Sequence, residues 1–287
     1  MTDPIDRDLS LPPGLYVVAT PIGNLRDITL RALDTLNGAD EIACEDTRVT
    51  GKILSRYAID TRMTRYDDHT GDRARDGLTA RLKGGAAIAL VSDAGLPGIS
   101  DPGYKLVQAC IDEDIPVTVI PGANAALTGL VLSGQPTDRF LFAGYLPSKH
   151  GQRTKVLENI AGVPASLIFY ESAKRLAASL TDMAVVLGDR PAAVARELTK
   201  LHEELRRDNL SGLAEHYQNA GAPKGEIVVV VGAPEKNAEW TEEAVDNLLA
   251  ELLTSMSVRD AAREAAARTG QSRKILYDRA LGLAKNK

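Results

Sequence analysis

A chain of 287 residues, 44% hydrophobic and 25% charged, can bury one large core or two modest ones without disulfides or metals, and this composition excludes disordered, collagenous and coiled-coil classes. The formal net charge of -5 argues at first against nucleic acid as a partner. It averages an acidic body of -14 with two basic segments, residues 48–83 at +4 and residues 257–287 at +5.

The first residues are polar with no apolar leader, and no apolar run approaches the roughly 20 residues of a membrane span, so a cytoplasmic protein is expected. Short β-branched runs predict strands at Leu15–Thr20, Glu41–Glu45, Arg62–Tyr66, Ala87–Asp93 and Val117–Pro121, with helices such as Ile28–Ala39 and Asp101–Asp114 between them. This alternation is the pattern of βα units around a mainly parallel sheet. Cys44 and Cys110 lie in these apolar stretches with no CxxC and no histidine pair nearby, which predicts buried free thiols and no metal site. The turn-rich stretch Ser133–Arg139 then closes a first α/β domain at 12–136. Strands at Phe140–Leu146, Ser166–Tyr170, Ala193–Leu198 and Ile227–Val231, with helices at Gln152–Ile160 and Lys174–Leu187, predict a second α/β domain at 137–233. From Thr241, a candidate cap, the pattern is helical only, with further helices at Val258–Ala267 and Ser272–Leu283 in a small unit at 240–287. The break at Thr269-Gly270-Gln271 has the length of a helix-turn-helix turn, and the basic excess favours an RNA contact over a simple packing cap.

Three turn-rich loops follow predicted strands, at the sheet edge where open α/β folds place ligands. They are Ala19–Leu25, Val91–Gly103 and Ile120–Ala126. In the second, Ser100 or Asp101 is expected to cap the following helix, and Asp93 either caps a turn or faces a ligand. The absence of GxGxxG, GxxxxGK[ST], GxSxG and HExxH excludes the dinucleotide fingerprint, P-loop hydrolysis, α/β-hydrolase chemistry and zincin proteolysis.

Tyr16 to Thr29 (YVVATPIGNLRDIT), Cys44 to Arg48 (CEDTR), Val91 to Gly103 (VSDAGLPGISDPG), Ile168 to Ser172 (IFYES) and Ala195 to Lys200 (ARELTK) occur in that order. From about residue 14 to 232 the chain resembles the ribosomal RNA small subunit methyltransferase I family, a branch of the tetrapyrrole methylase superfamily, and its helical tail is similar to an extension found in many members. The resemblance implies two α/β domains with S-adenosylmethionine folded in the cleft between them, methyl transfer to the 2′-hydroxyl of a cytidine in small-subunit (16S) ribosomal RNA, and a homodimer. By position it assigns cofactor binding to Pro21 and Gly23, to Ser92, Asp93, Ala94 and Gly95, to Asn124 and Ala125, and to Glu171 and Glu226. Two stretches depart from the family pattern. Asp67-Asp68-His69-Thr70 stands where relatives carry a His-acid-His-Asn run, and Ala123-Asn124 where they carry Pro followed by Ser or Cys.

A ribose hydroxyl is a weak nucleophile, so transfer needs it aligned and helped to lose its proton. Arg196, Glu197 and Lys200, at the end of a predicted strand, are expected to hold the target nucleotide or assist deprotonation. Gly225 suggests close backbone approach, so Glu226 is expected to meet the cofactor through its main chain. Arg48, His69, Arg259, Arg273 and Lys274 are the expected contacts to RNA, either free or in the assembled small subunit. His150, His202 and His216 read as solvated. Two other readings stay open: a precorrin-type C-methyltransferase, against which the basic segments count, and a non-catalytic RNA-binding assembly protein, against which the intact loop glycines count.

Overall fold

The sequence Gly14–Val18 (β1) is apolar throughout and buried at every position, as befits a strand covered on both faces. Leu15 and Val17 point into one apolar cluster while Tyr16 and Val18 point into another. The computed structural model, which describes residues 10–67, 71–234, 242–269 and 271–285, places β1 in a five-stranded sheet. Its other strands are Glu41–Cys44 (β2), Met63–Arg65 (β3), Ala87–Val91 (β4) and Val117–Ile120 (β5), in the order β3-β2-β4-β1-β5 and all parallel. Helices Leu30–Gly38 (α1) and Thr47–Arg56 (α2) cover one face, contributing Ala32, Leu36 and Leu54 to a cluster that also holds Cys44. Helices Gly71–Lys83 (α3) and Tyr104–Asp112 (α4) cover the other, contributing Leu78, Leu82, Leu106 and Cys110. Both thiols are free and buried, as expected. The predicted strands run one to two residues long at their carboxyl ends. Thr20, for example, has left the sheet and pairs with Gly95 in an isolated bridge.

Ala125–Ser133 (α5) leads into a second five-stranded sheet. It comprises Phe140–Tyr145 (β6), Ser166–Ser172 (β7), Pro191–Arg196 (β8), Glu204–Asn209 (β9) and Glu226–Val231 (β10), in the order β6-β7-β10-β8-β9. The expectation of a mainly parallel arrangement fails here, because β6 and β7 are the one parallel pair and β10 runs antiparallel to both β7 and β8, as β9 does to β8. The link between β8 and β9 is too short to hold a crossover helix, so β9 must return antiparallel. Neither β9 nor the following helix Leu210–Ala220 (α8) is evident in the sequence pattern, since β9 reads ELRRDN and lies exposed at the sheet edge. Helices His150–Ile160 (α6), Leu176–Leu187 (α7) and α8 pack on one face of this sheet, and α5 packs on the other. Gly129 allows α5 to lie close, because a Cβ there would come within 2.8 Å of Val228. Between α6 and α7, Arg153 and Asp182 form a buried ion pair at 2.5 Å. His150 is largely exposed, as expected, yet its Nδ1 lies 3.0 Å from Asp182.

Both sheets belong to one compact unit, Met1–Ala233, and the remainder, Pro234–Lys287, forms a second. In the second unit Glu242–Leu252 (α9), Val258–Thr269 (α10) and Arg273–Lys285 (α11) enclose a small core that includes Leu249, Ala261, Ala265 and Leu276. Arg279 of α11 ties back to Asp246 of α9 at 2.5 Å. The proposed cap Thr241 and the turn residue Gly270 lie outside the described residues. No described helix is long and apolar enough to cross a membrane.

Candidate active-site cleft

Loops after β1, β4 and β5 come together because the parallel sheet sends every strand's carboxyl end to the same edge. Thr20 and Gly95 clamp the first two loops through paired backbone bonds of 2.8 and 3.1 Å, and the Thr20 hydroxyl donates to the Ser92 carbonyl at 3.1 Å. Gly95 sits at φ +82°, a conformation costly for any residue with a Cβ. Asn124 caps α5, its Oδ1 accepting from the Leu127 amide at 3.0 Å, so its Nδ2 amide is what it can offer a ligand.

Facing these loops, β6, β7 and β10 supply Tyr145, Tyr170, Glu226 and Val228, and the space enclosed is about 230 Å³. Ile22, Leu198 and Val228 make one part of the lining apolar. Phe142, Tyr145 and Tyr170 stack edge to face, with ring centres 4.9 and 5.6 Å apart. The charged lining is of one sign: Glu45, Asp93, Asp101 and Glu226, with no Lys, Arg or His among the described lining residues. Burial raises the Asp93 carboxyl above its ordinary value, and burial pushes Asp101 up to about 6, reinforced by Glu45, Asp93 and Glu226 and opposed by the nearby Ser92 hydroxyl. Burial likewise raises the phenols of Tyr145 and Tyr170, which stay protonated hydrogen-bond donors.

At the rim, the Lys200 ammonium donates to Glu197 Oε1 at 2.8 Å and to Glu226 Oε2 at 2.9 Å. Glu197 adopts φ +51° and exchanges backbone and side-chain bonds with the main chain of Glu226 at 3.0 and 3.1 Å. Gly225, at φ +98°, leaves the space the Glu197 carboxyl occupies. The Lys200 hydrogen bond holds Glu197 below the usual carboxylate range. Partial burial pulls the Lys200 pKa down, but its bonds to Glu197 and Glu226 outweigh that and leave it raised. Arg196 turns toward β9, donating to Glu204 at 2.7 Å and to the Lys224 carbonyl at 3.0 Å.

Of the expected cofactor residues, Asp93, Ala94, Gly95, Asn124, Ala125 and Glu226 line the cleft. Pro21 is buried beside it, and Ser92, also buried, braces the loop by donating to the Ala94 carbonyl at 3.3 Å. Gly23 abuts Leu198–Lys200 instead, where a Cβ would overlap the Lys200 side chain, and the neighbouring Asn24 amide donates to Thr199 at 3.0 Å. Glu171 is sealed in a buried network with Arg175 at 2.7 Å, Ser179 at 2.5 Å and the Ser172 amide at 2.7 Å. The main-chain amide and carbonyl of Glu226 are both bonded to Glu197, and its carboxylate is bonded to Lys200. The expected capping by Ser100 or Asp101 is not found. Gly103 is the cap residue of α4 and no side chain bonds there. In the sequence Pro102 suits a first helical position and so makes Asp101 look like the cap, but the helix begins only at Tyr104, two residues further on.

The basic residues divide sharply. Arg48 is 87% exposed and bonded to Asp46, whose amide donates to Asp93 Oδ1 at 3.1 Å, so it stands near the cleft rim. Elsewhere in the first basic segment Arg62 and Arg81 pair with Glu41, Arg65 with Asp67 and Lys83 with Glu113, which leaves less free positive charge than the count suggests. His69 lies outside the described residues. In the C-terminal unit Arg263, Arg268 and Arg279 are paired with acidic neighbours. Arg259, Arg273 and Lys274 have no acidic partner among the described residues, and with Tyr277 they line one shallow depression.

The family described as tetrapyrrole (corrin/porphyrin) methylases matches residues 14–214, and a second, described as the RsmI C-terminal HTH domain, matches residues 238–284. A ribosomal RNA small subunit methyltransferase I from Mesorhizobium japonicum is 53% identical over 274 residues, which is 95% of this chain and 93% of that one. Its counterpart from Erythrobacter litoralis is 55% identical over 273 residues, 95% of this chain and 96% of that one. The fold is shared with a uroporphyrin-III C-methyltransferase from Thermus thermophilus, solved in complex with S-adenyl homocysteine, at a TM-score of 0.55 and 18% identity over 76% of this chain and 97% of that one. With a family match over most of its length and relatives above 50% identity along nearly all of it, the chain belongs to the ribosomal RNA small subunit methyltransferase I family of the tetrapyrrole methylases.

Proposed function

We propose that this chain transfers the methyl group of S-adenosylmethionine to the 2′-hydroxyl of a cytidine in small-subunit ribosomal RNA, either free or in the assembled subunit, in the cytoplasm. The observation that carries the reading is the cleft at the carboxyl edge of the parallel sheet, lined by apolar groups and by carboxylates, with no cation among its described lining residues. Its donor set fits this cofactor. Ile22, Leu198 and Val228, with the small Ala94, Gly95 and Ala125, suit a flat adenosine, and Asp93 and Glu226 suit a positively charged sulfur or amino group. When bound, the cofactor supplies an electrophilic methyl carbon on a cationic sulfur.

In this reading Asp93, Ala94, Gly95, Asn124, Ala125 and Glu226 hold the cofactor, Pro21 and Ser92 shape its loops, and Gly23 and Glu171 support the walls from outside. Lys200, oriented by Glu197, meets the target nucleotide at the rim, and Arg196 fixes the strand end behind it. Arg48 and Arg259, Arg273 and Lys274 meet phosphates, which position RNA without reading its sequence. The divisions 12–136, 137–233 and 240–287 correspond to two cofactor-binding halves and an RNA-contacting tail. A homodimer accords with exposed Val119 on β5 and exposed Leu127 and Val131 one turn apart on α5.

Incubation with methyl-labelled cofactor and isolated small subunits, followed by mapping of the label, tests the proposal. Label on a cytidine ribose oxygen is expected. Binding of the subunit without transfer, or transfer only to a tetrapyrrole carbon, overturns it.

A further inference from the structure

Methyl transfer to a ribose oxygen needs a group that accepts the hydroxyl proton, and the rim residues are poorly suited to it. Glu197 already accepts from Lys200 at 2.8 Å and from the Glu226 amide at 3.1 Å, which makes it a weak base. Lys200 is held protonated by the same two carboxylates, and Arg196 is bonded to Glu204. Inside the cleft, Asp93 accepts the Asp46 amide at 3.1 Å, and the Glu226 side chain is 70% exposed and bound to Lys200.

Asp101 is placed differently. It lines the cleft on the loop after β4, partly buried, between Ser100 at φ +62° and the Pro102-Gly103 turn, with Gly103 at φ +135°. A non-glycine residue held at positive φ next to a cleft carboxylate is strain of the kind that functional loops retain. The groups facing it are Glu45 from the loop after β2, Asp93 and Ser92 from its own loop, Tyr145 and Tyr170 from β6 and β7, and Glu226 from β10. No cation among the described residues neutralises it from the cleft wall.

We propose that Asp101 is the general base of the reaction, accepting the proton of the target 2′-hydroxyl. The proposal rests on the reading of the chain as a 2′-O-methyltransferase. As the ribose oxygen forms its bond to the methyl carbon, its proton passes to the Asp101 carboxylate and the electron pair of the broken sulfur–carbon bond stays on sulfur. The carboxylate ends as a neutral acid and the sulfonium as a neutral thioether. Burial and like charges make Asp101 a stronger base than an ordinary aspartate, with its midpoint at about 6, close to working pH. A cation sharing the cleft draws that midpoint down and keeps the base ionised when the cofactor is loaded.

The test compares wild type with Asp101→Asn and Asp101→Glu in single-turnover methylation across pH, alongside calorimetric cofactor binding and thermal melting. Asp101→Asn is expected to lose roughly 100- to 10,000-fold in rate, the range of general-base contributions, while still binding cofactor. The acidic limb of the wild-type rate profile disappears in Asp101→Asn and persists in Asp101→Glu. Melting supplies a readout without turnover. The folded carboxyl titrates at about 6 and the unfolded one at about 3.9, so stability fully present below the lower value is lost as pH rises through the upper one. Asp101→Asn therefore melts above wild type at pH 7 and gains nothing below pH about 4. An Asp101→Asn protein that keeps the wild-type rate, keeps the acidic limb, or slows only because cofactor no longer binds overturns the proposal. If wild type itself places no methyl on a ribose oxygen, the functional reading fails instead.

Discussion

The first sheet runs all five strands one way, and its contribution to the cleft is made by loops whose shape is set by backbone: the Thr20–Gly95 bridge, the positive φ of Gly95, the Asn124 cap. The second sheet runs mixed, and its contribution is made by side chains on its strands, Tyr145, Tyr170, Glu226 and Val228, with Glu226 held by Lys200 and the strand ends behind them secured by the pairs Glu171–Arg175 and Arg196–Glu204. Parallel strands deliver their carboxyl ends to one edge, where turns can close on a ligand. Antiparallel strands alternate ends and leave no such common edge, so that wall is assembled from side chains and secured by charge.

The comparison breaks most readily at the support beneath the second wall. Removing Asp182 leaves Arg153 buried without its partner, and Asp182→Ala is expected to cost about 3–5 kcal/mol in chemical denaturation. A loss under about 1 kcal/mol would mean that the charges are not what holds α6 to α7. Next in size is Gly225→Ala, which puts a Cβ where the Glu197 carboxyl lies and imposes a positive φ of +98° on alanine. About 1–3 kcal/mol of stability should go, together with the Lys200 geometry, so methyl transfer should fall more than cofactor binding does. Equal loss of both would place Lys200 on the cofactor. The smallest effect expected is acid sensitivity from Glu197. Its folded pKa lies below its unfolded value, so it contributes stability above pH about 4.3 that disappears as pH falls through the folded value. Glu197→Gln should flatten that acid limb in melts between pH 3 and 5 and leave the slope near neutrality alone, while weakening the alkaline contribution of Lys200, which Glu197 helps to raise.

Strand direction also decided how much could be read in advance. The runs YVV, EIAC and AIALV are buried on both faces, so the first sheet announces itself as continuous apolar stretches, and its three loops carry the ligand-facing residues in order. The edge strand ELRRDN carries no such signal, and with it the antiparallel return stayed hidden. Turn chemistry, being local, marked the loops that carry Asp93, Gly95 and Asn124, and it was the family resemblance that assigned those residues to the cofactor; all three line the cleft. The sealing of Glu171 was not legible, because its closure by Arg175 and Ser179 depends on how the strand end meets the helix after it. Asp101 was misread as a cap for want of the two residues that separate it from α4. Likewise the basic totals said how much charge the segments carry, and only tertiary pairing separates the spent cations, such as Arg279, from the available ones, such as Arg273.

The two cysteines acquire a practical meaning from their positions. Cys44 and Cys110 are the chain's entire thiol inventory, and they lie on opposite faces of the same sheet, each fully buried. Burial raises both thiols, Cys110 to about 11, so neither is a thiolate at neutral pH. Alkylation by a soluble reagent thus requires the covering helices to part, α1 and α2 for one thiol and α3 and α4 for the other. The rate at each sulfur becomes a native clock for the opening of its own layer, and a cofactor that tightens the loops after β1 and β4 should slow both clocks without a single label being introduced.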